Sequence, residues 1–290
     1  VLCALFLYGF GRRFSEQVGL LACALYLLTP EIRQYSMSFS YEAPAAALVV
    51  GASWIVLSCR CSWRWRLAAH VLAGGLLGAA ALMAGRVLVI GAMLAVGIVL
   101  DRSQPRPKRR ALALVAGILL VLTPWTIRNH RYYGEFIPLT TNAGINLYIG
   151  NNPEATNRYH LPDESARPPY RHHESRKYLT HTLRYMAENK LLTLQRYAQK
   201  LVLYWTPQDR WQIFLYGAMV LGWVRLLLAR SVPRGVRVWL IGAPLAMGAF
   251  HALFFILWRF VLIVWPMICL AAAIGVLGVG RGMREDPAGS

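Results

Sequence analysis

Nine stretches of nearly unbroken apolar residues punctuate the chain: 1–10, 18–29, 43–58, 67–85, 87–100, 111–127, 211–229, 238–257 and 261–279. None shows the strict alternation of a barrel strand, and in hydrocarbon only helices and closed barrels satisfy every backbone group. The pattern predicts an all-α integral membrane protein with about nine transmembrane helices, the first truncated. The second and fifth stretches are short for a hydrocarbon core roughly 30 Å thick. Gly74-x-x-x-Gly78 is a small-residue helix-packing pattern.

One interval departs from this pattern. From 128 to 210 the chain is polar, holding 7 of the 13 acidic and 12 of the 31 basic residues. Its first part is rich in Asn, Gly and Pro, which predicts an ordered irregular loop, and 162–169 reads as a flexible one. From about Glu174 to Trp205, Tyr178, Leu179, Leu183, Met186, Leu191, Leu194, Tyr197, Leu201 and Tyr204 recur at helical spacing. A helix lying along a membrane interface is expected there; a small soluble helical cap is the alternative. The chain thus divides into N-terminal helices (1–127), a loop segment with an interfacial helix (128–210), and C-terminal helices with a short tail (211–290). Because Val1 lies inside an apolar run and no initiator Met precedes it, the chain reads as the C-terminal part of a longer protein.

Composition agrees with this division. The chain is 57% hydrophobic and 15% charged, with mean hydropathy +0.41, unlike a soluble domain. The net charge of +18 would fit nucleic acid, but its distribution follows topology. One set of alternate short connections carries 15 Lys and Arg; the other carries three, Arg33, Arg86 and Arg259. The positive-inside rule puts the first set in the cytoplasm and the 128–210 segment outside. Contact with anionic lipid accounts for much of the remaining basic charge, and no nucleic-acid partner is expected. Five cysteines lie in or beside the apolar runs, so they form no disulfide framework. Cys59-x-Cys61 has the wrong spacing for the usual structural zinc pairs. The adjacent His172 and His173 read as a solvated loop, and no metal site is expected.

Few charges stand at the ends of spans on the expected outer side. Arg86 is the only formal charge between Leu67 and Leu100, and the pattern places it at a tight bend between two spans. A charge at membrane depth costs at least about 2.5 kcal/mol on insertion scales, so such arginines usually face a cavity, a partner or a ligand. Glu42 begins the third apolar run, Arg128 ends the sixth, and Arg259 lies between the last two. Arginines beside an acid suit a phosphate-bearing substrate, because guanidinium forks bind phosphate oxygens bidentately. The same groups also serve as snorkelling anchors or as an internal ion pair.

Several elements resemble a family. They are Pro124-Trp125-Thr126-Ile127-Arg128-Asn129, Gly134-Glu135-Phe136-Ile137-Pro138, Thr141-Asn142-Ala143-Gly144 and Leu147-Tyr148-Ile149-Gly150-Asn151-Asn152-Pro153. Together they resemble the outer-loop signature of bacterial polyprenyl-phosphate-sugar-dependent glycosyltransferases. These are GT-C membrane enzymes related to dolichyl-phosphate-mannose protein mannosyltransferases and lipid A aminoarabinose transferases. Pro30, Tyr35 and Glu42, and Arg259-Phe260 with Pro266, are similar to further family elements. Val87 and Ile263 stand where the family usually has proline.

The resemblance implies transfer of a sugar from a polyprenyl-phosphate-linked donor to a lipid, glycan or protein acceptor, outside a bacterial cytoplasmic membrane. It implies that Arg86, Arg259 and Arg128 bind the donor phosphate and that Glu42 is a catalytic acid. It places Tyr35, Asn129, Asn142, Tyr148, Asn151 and Asn152 around sugar and acceptor. A divalent cation is compatible with such chemistry, although no ligand set is visible. The family's main catalytic Asp is expected upstream of Val1, so a fragment lacking it could be inactive by itself. Two other classes fit the layout: an O-antigen-ligase-like transferase using a diphosphate-linked glycan, and a non-enzymatic lipid or solute transporter.

Overall fold

The computed structural model describes residues 1–38, 40–58, 62–101, 104–160 and 174–279. Outside them lie Cys59 and Cys61, His172 and His173, the 162–169 loop, and Arg60, Arg102, Arg281 and Arg284. The described residues are helical and hold no strand beyond one isolated bridge, between Arg158 and Ile256.

In chain order the helices are α1 (Leu2–Gly11), α2 (Glu16–Leu28), α3 (Pro30–Met37), α4 (Glu42–Ser58), α5 (Trp63–Met83), α6 (Val87–Leu100), α7 (Pro107–Tyr133), α8 (Ala143–Asn151), α9 (Ser175–Glu188), α10 (Lys190–Trp205), α11 (Arg210–Leu228), α12 (Arg234–Arg237), α13 (Ala243–Ala252) and α14 (Trp265–Leu277). A π-helical turn (Val238–Gly242) joins α12 to α13, and a 3-10 segment (Trp258–Ile263) precedes α14. Local chemistry sets several boundaries. Ser15 caps α2 by accepting from the Val18 amide at 3.1 Å, and Asp209 caps α11 through the Gln212 amide at 2.7 Å. Pro30 occupies the first turn of α3, where its missing N–H is not needed.

Each of the nine apolar stretches carries a helix. Among the described residues, three helices are long and apolar enough to cross a membrane: α5 with 21 residues, α7 with 27 and α11 with 19. Counting α3 and α4 as one broken span makes four. At 1.5 Å per residue, helices α1, α2, α6 and α14, of 10 to 14 residues, fall short of a core roughly 30 Å thick.

The chain forms two compact units. Among the described residues, the first comprises Val1–Pro124, Pro207–Ala246 and 262–279. Its helices meet where side chains are absent. A Cβ on Gly222 of α11 would lie 1.9 Å from the Ala271 carbonyl of α14, and one on Gly275 of α14 would lie 1.9 Å from the Ala218 carbonyl. Gly74 and Gly117 bring α5 and α7 together in the same way, and Gly78 lies against Val121 and the Ile118 carbonyl. The Gly74-x-x-x-Gly78 pattern is therefore a packing face, as small-residue spacing implies. Helix α14 is buried from Trp265 to Gly275, and Trp265 donates its indole N–H to Thr29 Oγ1 at 3.0 Å.

The second unit comprises Trp125–Thr206 and Met247–Val261. Residues 247–261, which the sequence pattern assigns to C-terminal spans, join the loop segment here. The Ile256 amide donates to the Asn157 carbonyl at 2.9 Å, Tyr197 donates to the Ala249 carbonyl at 3.3 Å, and His251 stacks on Tyr204 and Phe260.

Candidate functional site

In the first unit the chain turns sharply at Ala84-Gly85-Arg86 between α5 and α6. The turn places Arg86 immediately before the first residue of α6. A helix start disfavours a cation, and a carboxylate answers that cost. Arg86 Nη2 donates to Glu42 Oε1 at 3.3 Å, and Glu42 is fully buried at the start of α4. Ser40 donates its hydroxyl to Glu42 Oε2, and the guanidinium lies over the Tyr41 ring, 5.4 Å from its centre. The Arg86 side chain keeps 11% of its surface exposed. The α6 amides of Val87, Leu88 and Val89 bond back to the carbonyls of Ala84, Gly85 and Arg86. Any anion bound here would therefore be held by the guanidinium. Tyr35, on α3 of the same unit, is half-buried.

The second unit holds the remaining candidates. The chain leaves α7 through Gly134, whose φ of +70° is the left-handed turn that favours glycine. It then folds back along the last turns of α7. Trp125 Nε1 donates to the Leu139 carbonyl at 2.8 Å and Thr126 Oγ1 to that of Pro138 at 3.1 Å. Asn129 Nδ2 donates to the carbonyls of Ile137 and Leu139 at 3.0 and 3.3 Å. Asn129 is buried, and its Oδ1 accepts from Arg128 at 3.1 Å. Arg128 is exposed between the rings of Trp125 (5.0 Å) and Tyr132 (5.5 Å). Both ring faces attract the guanidinium.

Helix α8 carries the rest of the signature. Asn142 precedes its first residue without a side-chain capping bond. A Cβ on Gly144 would fall 1.9 Å from the Ser175 carbonyl, and one on Gly150 would fall 2.1 Å from the Phe254 carbonyl. Both glycines therefore permit close backbone approach. Tyr148 is buried, 5.5 Å from the Tyr178 ring and 6.1 Å from that of His181, centre to centre. Asn151 Nδ2 donates to the carbonyls of Leu147 and Leu253 at 2.9 and 2.7 Å. Asn152 Nδ2 donates to those of Tyr148 and Ile149, and its Oδ1 accepts from the Glu154 amide at 2.8 Å. Both amide side chains tie off the end of α8.

Two basic residues of α10, to which the sequence assigned no role, complete this arrangement. Lys200 is fully buried and donates from Nζ to the Gly150 carbonyl at 2.8 Å and to Asn151 Oδ1 at 3.0 Å. Burial, with the nearby Arg196 charge, pushes its ammonium down to about 8. Arg196 donates to the carbonyls of Asn152 and Pro153 at 2.7 and 3.0 Å. Cations at a helix C-terminus complement its partial negative charge. Arg259, in the 3-10 segment, is half-buried.

The structure thus brings Glu42 and Arg86 together in one unit, and Asn151, Asn152, Lys200 and Arg196 together in the other. Among the described residues, no group of three or more His, Cys, Asp or Glu side chains stands close enough to hold a metal ion. No protein-family model, curated protein or solved structure matches the chain.

Proposed function

We propose that this chain is a bacterial cytoplasmic-membrane glycosyltransferase with nine spans. It would take a sugar from a polyprenyl-phosphate donor and deliver it to an acceptor at the outer face, where residues 128–210 lie. The observation that carries this reading is the Glu42–Arg86 pair: a buried carboxylate holding a partly exposed guanidinium at a turn between apolar helices. A guanidinium so placed can bind a phosphate oxygen of a lipid-borne donor. It can also stabilise the charge that builds on the phosphate as the sugar C1–O bond breaks and an acceptor hydroxyl oxygen bonds to C1, the hydroxyl proton ending on the released polyprenyl phosphate or in solvent.

Both Glu42 oxygens are engaged, one by Arg86 and one by Ser40. This geometry supports Glu42 as a positioning residue for Arg86 rather than as the group that removes the acceptor proton. The resemblance in the outer-loop motifs supports the same donor class. The reading does not rest on Arg128, which is flanked by aromatic rings, nor on Arg259.

The test is transfer of labelled sugar from a polyprenyl-phosphate donor, in membranes of cells expressing the gene. Arg86→Lys, which keeps the charge and loses the fork, should raise KM for the donor at least tenfold. Glu42→Gln should lower activity in part, and Glu42→Asp should restore most of it. Wild-type kinetics for Arg86→Lys would reject the assignment, and so would solute flux into proteoliposomes without covalent transfer.

A further inference from the structure

Helix α10 presents its faces in an unusual sense. Thr193, Arg196, Tyr197, Lys200 and Tyr204 face inward, buried or half-buried, while Leu191, Leu194, Ala198 and Val202 point away from the unit. The outward residues fall three or four apart, so they form one stripe along the helix. Leu191 is 85% exposed, Leu194 66% and Val202 69%. Gln195 and Gln199 are exposed beside this stripe, so the helix suits an interface, with its leucine and valine stripe toward hydrocarbon.

Beside this stripe lies a cavity of about 320 Å³, within the range of roughly 300–1,000 Å³ that accommodates small ligands. Met186 of α9, Leu194 and Tyr197 of α10, and Ala252 and Leu253 supply its apolar walls, with Asn151 among the lining residues. Leu194 belongs both to the lining and to the exposed stripe, so the cavity is continuous with the apolar face. Asn151 brings little free polarity, because its amide is held by the Leu147 and Leu253 carbonyls and by Lys200.

One lining residue is charged. Lys190 is exposed, and among the described residues no carboxylate pairs with it; its neighbour Glu188 accepts from Arg184 at 3.0 Å instead. An apolar cavity opening on an apolar face, with a cation among its lining residues, matches a chain that ends in an anion. We infer that this cavity receives one acyl chain of an anionic phospholipid, with the lipid phosphate against the Lys190 ammonium. The site belongs to the second unit and does not require glycosyl transfer, so either reading can fail while the other stands.

The experiment uses the full chain in phosphatidylcholine vesicles containing phosphatidylglycerol with a diazirine on one acyl chain. After irradiation, adducts are located by mass spectrometry. Adducts are expected on peptides carrying Met186, Leu194 and Leu253. Leu194→Trp, which fills the mouth, and Lys190→Glu, which reverses the charge, should each lower that labelling at least fivefold. Leu194→Ala, which leaves the mouth open, should keep it. Leu194 and Lys190 are exposed, so these variants do not disturb buried packing. Undiminished labelling in Leu194→Trp overturns the cavity as the binding place. Equal labelling by a diazirine phosphatidylcholine, with no effect of Lys190→Glu, overturns phosphate recognition. Adducts confined to Leu191 and Val202 overturn the inference in favour of lipid lying only along the outside of the helix.

Discussion

Arg86 and Lys200 are both cations withdrawn from water, the first beside a buried carboxylate and the second beneath a helix end. Arg86 was legible because no other charge interrupts the residues around it, which made its bend and its need for a partner readable. Its partner Glu42 stands 44 positions away, yet it too marks the edge of an apolar run. Removing the arginine leaves a buried carboxylate without its counter-charge. Arg86→Ala should therefore lower unfolding free energy in mixed micelles by about 3–5 kcal/mol, and the double variant Glu42→Gln/Arg86→Gln should lose less. A double variant as unstable as the single one would contradict the pairing. The burial of Lys200 is not legible, because in an amphipathic helix it looks like any basic residue; only the fold shows it inserted under α8. Its ammonium, near 8, lies below the ordinary 10.5. Between those values the unfolded chain holds more protons than the native one, so stability rises with pH. The unfavourable contribution is complete below pH 8 and fades toward pH 10.5, with a limit of about 3 kcal/mol at about 1.4 kcal/mol per unit. The stability of the wild type relative to Lys200→Met should accordingly increase between pH 7.5 and 10.5. A difference that stays flat across that range would count against a depressed ammonium. The hydrogen bonds of Asn151 and Asn152 are hidden in the sequence for a related reason: a side-chain amide that can meet a sugar can equally satisfy orphaned carbonyls at a helix end, as both do here.

At the scale of elements, the nine apolar runs mark helices but not their lengths, and they miss α8, which forms at Ala143–Asn151 where the Asn, Gly and Pro content predicts an irregular loop. A run such as 238–257 reads as one span. The backbone instead passes through a π-helical turn and ends α13 at Ala252, where the segment turns to meet Asn157. Such contacts are long-range and leave no mark on local hydropathy. The amphipathic pattern of 174–205 was legible, but not which face would be solvated, since that depends on what the polar face can bond to. With Lys200 and Arg196 anchored to α8, Leu191 and Leu194 of α10 are left outside. Spin labels at 191, 194, 198 and 202 in lipid nanodiscs should favour molecular oxygen over a water-soluble nickel relaxant, and labels at the exposed Gln195 and Gln199 should do so less. Equal accessibility to both agents along the stripe would show an aqueous surface. Close helix contact gives a second expectation. Gly275→Ala forces a methyl against the Ala218 carbonyl, and such overpacking typically costs 1–3 kcal/mol. Gly217, which has open space where its Cβ would lie, should tolerate the same change with far less loss.

For the whole molecule, the distribution of basic residues makes an expectation independent of any chemistry. Alkaline phosphatase fused after residue 156 should be active in a bacterial host, and fused after residue 232 it should be inactive, following the positive-inside rule. The reverse pattern would remove the outer-face reading of the Arg86 site as well. The three long apolar helices also require the chain to stay with membranes after carbonate washing. The unit built on α8, α9 and α10 takes its polypeptide from two places, Trp125–Thr206 and Met247–Val261. Excising the first stretch as a stand-alone domain would strip away the segment that receives the Asn151 amide and would leave a leucine ridge facing buffer. Biochemists hoping for a water-soluble surrogate should expect a product that clumps unless amphiphile is supplied. Grafting the missing fifteen residues back by a linker would repair the interior of such a fragment but not its greasy exterior.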